Sequence, residues 1–99
     1  MIVFTRTVSI APGRNASAMT FAREVTAYLN SASGMELEIL VPIGGNPNRI
    51  TWTSRYADLA AYDKATSAMM TDPKYLQLVL SGSENFLAGS VFDSLWRQV

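Results

Sequence analysis

Apolar and polar residues alternate from Ile2 to Ile10. Ile2, Phe4, Val8 and Ile10 share one face with Arg6 among them, and Val3, Thr5, Thr7 and Ser9 share the other. A repeat of two is the spacing of a half-buried strand, and Pro12-Gly13 ends it. From Arg14 to about Ala32 the spacing changes to three and four, through Ala18, Phe21, Ala22, Val25, Tyr28 and Leu29. This predicts an amphipathic helix, with Gly34 as its left-handed C-terminal cap. Alternation returns from Met35 to Val41, with Leu37, Ile39 and Val41 together, and again from Arg49 to Tyr56. The stretch from Pro42 to Asn48 is rich in turn formers and joins these two strands. Burial and charge select one register for the pair: Val41 opposite Ile50, Ile39 opposite Trp52 and Glu36 opposite Arg55.

A second helix follows, with Asp58 in its first turn and Leu59, Tyr62, Ala65 and Met69 down one side. Thr71-Asp72-Pro73 stops it and starts a short third helix, because Asp or Thr caps free amides and proline suits the first helical position. Tyr75, Leu76, Val79 and Leu80 form its apolar face, and Ser81-Gly82-Ser83 ends it. Ser90 to Val99 reads as a last strand, with Val91, Asp93, Leu95 and Arg97 opposite Phe92, Ser94 and Trp96. The order predicts one α+β domain over residues 1–99. Its sheet is ferredoxin-like, βαββαβ and antiparallel, with helices on one face and an extra short helix before the last strand.

Composition adds to this picture mainly by exclusion. Hydrophobic residues make up 48% of the 99 and charged residues 16%, an apolar balance for so small a domain. It predicts a second buried face and hence a homodimer. Thr5, Thr7, Thr51 and Thr53 with Phe92 and Trp96 suit a wet-edged interface of that kind. The formal net charge is zero, so no basic field draws phosphates and no nucleic acid is expected. There is no cysteine and no histidine, which removes thiolate chemistry, the commonest general base and the commonest transition-metal ligand. No metal and no cofactor are expected. No stretch resembles a signal peptide or membrane span, so a cytoplasmic protein without membrane contact is expected.

Several short motifs resemble the dimeric α+β barrel superfamily, which includes antibiotic-biosynthesis monooxygenases, haem-degrading monooxygenases and NIPSNAP-like proteins. They are Pro12-Gly13 before the first helix, the Gly44-Gly45 turn, Trp52-Thr53-Ser54 leading to Asp58-Leu59, and Asp72-Pro73-Lys74-Tyr75 after the second helix. The resemblance covers nearly the whole chain and is not specific to one family. It implies two sheets packed across a dimer into a barrel, with an open pocket between each sheet and its helices. Arg6 then occupies the place of a pocket-facing polar residue on the first strand, Trp52 that of a tryptophan closing the third, and Tyr62 lies near that of an aromatic on the second helix. Haem degradation through a histidine ligand is excluded, because the chain has none.

These three residues are the candidate ligand contacts, and each has a second reading. Arg6 interrupts an apolar face, where an unpaired guanidinium is costly. It serves either as a clamp for an anionic oxygen or as half of an ion pair with Asp93. Trp52 and Tyr62 either stack on an aromatic ligand or belong to the core. Glu36 and Glu38 lie on one strand face, which fits a solvated or cross-strand-paired face better than acid-base chemistry. No catalytic residue stands out. The functions open at this point are binding of a small hydrophobic or aromatic molecule with cofactor-independent oxygenation, non-catalytic binding or sensing, and a structural assembly module.

Overall fold

The computed structural model describes residues 1–99. In chain order the elements are β1 (Ile2–Ser9), α1 (Asn15–Ser33), β2 (Glu38–Leu40), β3 (Arg49–Tyr56), α2 (Leu59–Met70), α3 (Pro73–Gly82), a 3₁₀ turn (Ser83–Asn85) and β4 (Phe92–Arg97). The four strands form one sheet in the order β2-β3-β1-β4, antiparallel throughout. Gly34 closes α1 in the left-handed conformation, with φ 68°, where a glycine has no Cβ to strain. Asp58 lies one position ahead of α2 and not within its first turn. Its carboxylate accepts from the Ala61 amide at 2.8 Å.

The barrel expected from the resemblance does not form. β2 and β4 are the two edges of an open four-stranded sheet, and closure requires every edge to be paired. The dimeric α+β barrel is therefore replaced by an open α+β sheet, the helices lying against the face that carries Ile2, Phe4, Val8 and Ile50. Phe92 and Trp96 stand on the opposite face, across from Thr7 and Val3, and are 69% and 62% exposed in the chain. Thr7 and Thr51 pair there through their hydroxyls at 2.8 Å.

The β2–β3 register places Ile39 opposite Trp52, as burial required. The ladder is shorter than the alternation predicts, and the reason is local. Asn30 of α1 takes the Leu37 backbone for itself: its carbonyl accepts from the Leu37 amide at 2.8 Å, and its amide donates to the Leu37 carbonyl at 3.1 Å. Leu37 is thereby tied to the helix and buried, and the chain joins the sheet only at Glu38. Glu36 accordingly does not pair with Arg55, which donates to Gln98 at 3.1 Å instead.

Two clusters fill the space under the helices. Ile10, Ala18, Ala22 and Ile50 form one, and Val25, Leu29, Leu37 and Tyr75 the other. α2 stands apart, with no buried residue despite its apolar side.

The α2–α3 corner is fastened to α1 by Tyr28, whose hydroxyl donates to Asp72 Oδ2 at 2.6 Å. The bond holds the Asp72 carboxyl below the usual carboxylate range, chiefly through Tyr28, and holds the Tyr28 hydroxyl above the usual phenol range, chiefly through Asp72. A depressed acid stabilises the fold above its unfolded pKa, and that contribution fades as pH falls through the folded value. A raised phenol stabilises below its unfolded pKa and loses this as pH rises through the folded value. Tyr28→Phe is therefore expected to lower the melting temperature at neutral pH. Thermal melts across a pH series should show the gap between wild type and variant shrinking in strong acid and in strong alkali.

Candidate ligand cavity between sheet and helices

Strand alternation and register together set a row of side chains across the helix-facing side of the sheet. Asp93 of β4, Arg6 of β1, Trp52 of β3 and Ile39 of β2 are successive cross-strand partners. Arg6 sits in the middle of that row. Its Nε donates to Asp93 Oδ1 at 2.7 Å and its Nη2 to Oδ2 at 2.9 Å, a bidentate pair. The guanidinium also lies 5.7 Å from the Phe4 ring centroid, within cation–π range. Asp93 is the main reason that the Arg6 pKa rises above its ordinary value, against the opposing effect of burial, with smaller contributions from Tyr75. The ion pair with Asp93 anticipated for Arg6 is therefore present.

Above this row lies a cavity of about 490 Å³, open on one side. The sheet contributes Arg6 and Trp52 to its floor, α1 contributes Phe21 and Val25, and α3 contributes Tyr75 and Val79. Sixteen of its 21 lining residues are hydrophobic, so water within it finds few partners and apolar surface is the main thing it offers. Thr66 and Met69 of α2 reach its far wall. At this end of α2 the cavity takes the place of a packed core, so Met69 is left only partly buried.

Trp52 is fixed before any ligand arrives. Its Nε1 donates to Thr26 Oγ1 at 2.9 Å, and its ring meets Phe86 edge-on at 6.4 Å between centroids. Tyr62 is not among the lining residues. Its ring packs 5.6 Å from Phe4 and 5.4 Å from Tyr56, two rings that do line the cavity, so it supports the wall from behind. Arg6 and Trp52 thus come together, and Tyr62 does not join them.

The strip Phe86 to Gly89 with Val91 borders the cavity and is pinned to the end of β1. The Leu87 amide donates to the Ser9 carbonyl at 3.0 Å, and Ser90 Oγ accepts from the Ser9 amide at 3.1 Å while donating to the Leu87 carbonyl at 2.7 Å. Neither this strip nor Tyr75 stands out as a site in the sequence. The available signal for Tyr75 was its spacing of four from Val79, which turns both toward the sheet. No three acidic side chains gather as a metal site, and no helix is long and apolar enough to cross a membrane.

No protein-family model matches the chain, and no curated protein matches it. Solved structures do. A NIPSNAP domain protein from Burkholderia xenovorans superposes with a TM-score of 0.84 at 14% identity, over 100% of this chain and 95% of the other. A NIPSNAP family protein from Agrobacterium tumefaciens gives 0.80 at 14% identity, over 97% and 86%. SnoaB from Streptomyces nogalater, a cofactor-independent oxygenase, gives 0.69 at 12% identity, over 98% and 91%. The fold is NIPSNAP-like. At these identities the likeness extends to the architecture and no further.

Proposed function

We propose that this protein binds a small hydrophobic or aromatic molecule in the cavity between sheet and helices, with Trp52 as the aromatic wall and Arg6 at the polar end. The observation that carries this is the cavity itself. A volume of about 490 Å³ is within the range of roughly 300–1,000 Å³ used for small ligands, and its walls are mostly apolar, with Arg6 and Glu84 as the charged residues among them. A domain of this size with a purely structural role gains stability by filling such a space. The test is a titration with naphthalene, followed through the NMR methyl signals of Met35 and Met69, which border the cavity. Both signals should shift and saturate. Val79→Trp, which places a large ring at the cavity wall, should abolish the shifts. Shifts confined to residues around Phe92 and Trp96, or none at all, would count against the proposal.

Cofactor-independent oxygenation is the second reading, favoured by the architecture shared with SnoaB, itself a cofactor-independent oxygenase. A molecule recovered from the cavity after incubation in air would carry added oxygen under this reading. Recovery unchanged supports binding alone.

A further inference from the structure

Tyr75 is 8% exposed and borders the cavity, yet its hydroxyl forms no hydrogen bond of standard geometry within the protein. The Arg6 guanidinium borders the same cavity, and a weaker hydrogen bond and charge interaction with Tyr75 add to what Asp93 does to keep it protonated. The two residues come from opposite walls, Arg6 from β1 and Tyr75 from the first turn of α3, where Asp72 caps the Tyr75 amide at 3.3 Å. The buried side-chain polar atoms left without a partner are Arg14 Nε and Asn85 Oδ1, so the Tyr75 oxygen is not sealed off and keeps access to open space.

The charge around the cavity is balanced. Asp93 occupies Arg6 Nε and one Nη2 hydrogen, which leaves Nη1 and the second Nη2 hydrogen as donors without a net local charge to attract an anion. Glu84, the acidic residue on the cavity border, is paired with Arg14 at 2.8 Å. Each cation therefore has its own carboxylate. Beside a guanidinium, a phenolic oxygen faces the N–H groups with its lone pairs, and its proton turns away toward the empty space.

The geometry points to Tyr75 and Arg6 as a paired donor site for one neutral acceptor oxygen, such as that of a ketone, quinone or ester, on an otherwise apolar ligand. This rests on the ligand-binding reading above and narrows it: the cavity selects uncharged carbonyl compounds over carboxylates. An anion entering here loses its water to face a guanidinium already neutralised by Asp93, so its desolvation is poorly compensated.

Three naphthalenes substituted at the same ring carbon test this: the methyl ketone acetylnaphthalene, its oxygen-free isostere isopropenylnaphthalene, and naphthoate. Dissociation constants are read from the Met35 and Met69 methyl shifts. The ketone should bind on the order of five- to tenfold more tightly than the hydrocarbon, the worth of a net hydrogen bond, and naphthoate should bind weakest of the three. In Tyr75→Phe the ketone should lose most of its advantage while the hydrocarbon binds as before, a control that also reports an intact cavity. Equal binding of ketone and hydrocarbon, tightest binding of naphthoate, or a ketone advantage that survives in Tyr75→Phe overturns the paired donor site while leaving the cavity as a ligand site. Failure of all three to bind overturns both readings.

Discussion

Replacing Ile50 with alanine is expected to destabilise the protein by about 2–5 kcal/mol, the usual range for a large aliphatic residue cut back in a packed core. Ile50 is the largest fully buried side chain in the chain, at 0% exposure. It sits on the central part of the sheet opposite Val8, under Ala18 and Ala22 of α1. The two alanines explain why relaxation is limited. They allow the α1 backbone to approach the sheet closely, and neither has side-chain atoms that could swing into the vacated space. The total stability of a domain this size is about 5–15 kcal/mol, so the loss is a large fraction of the whole. Urea unfolding should show a lower midpoint with an unchanged slope. Ile50→Val, which removes one methyl, should lose only about 0.5–1.5 kcal/mol. Because Ile50 does not border the ligand cavity, naphthalene should bind the folded alanine variant as it binds the wild type. A melting temperature within about 2 °C of wild type would show that the core is able to collapse around the gap.

Gly82→Ala should damage stability and binding together, and it does so through a different residue. Gly82 is the last residue of α3 and is buried. A Cβ placed there overlaps Cδ1, Cε1 and Cγ of Phe21. In most helices alanine improves on glycine by about 0.5–1 kcal/mol. Here the whole edge of an aromatic ring must move, and overpacking of this kind costs about 1–3 kcal/mol. The net expectation is a loss on the order of 1–2 kcal/mol. Phe21 meets Phe86 edge-on at 5.5 Å and borders the cavity, so the open direction for its ring is into the ligand's space. Affinity for naphthalene should fall roughly tenfold, equivalent to about 1.4 kcal/mol. Adding Phe21→Leu tests the cause. If the ring is the obstacle, the double variant loses less stability than the sum of the single variants, by about 1 kcal/mol. Strict additivity would place the damage elsewhere.

The sheet was readable from the sequence because its information is periodic. Alternation in the first and third strands assigns each side chain to a face, and the register chosen on burial and charge together holds in its apolar part, Ile39 opposite Trp52. Arg6 with Asp93 was readable for a related reason: a cation on an apolar face needs a carboxylate, and the last strand offers one on the matching face. Other features depend on contacts that periodicity does not encode. Asn30 competes for the Leu37 backbone and shortens β2, which cancels the expected Glu36–Arg55 pair. The barrel was implied by resemblance, whereas the chain itself forms a sheet with two edges. The resemblance places Tyr62 near the pocket, and its ring instead packs on Phe4 and Tyr56 without bordering the cavity. Gly82 looked like a helix terminator and serves instead as the place where α3 meets the Phe21 ring.

The position of β1 between β3 and β4 also bears on how the chain reaches this state. Arg6 and Asp93, neighbours in the sheet, are 87 positions apart in sequence, and β1 finds both of its partners only through distant segments. Loop closure over such separations has to precede the contacts that stabilise it. The central strand therefore has no local hairpin in which to form early. Folding is expected to be slower than that of a helical bundle of this size, with β1 among the last elements to be secured.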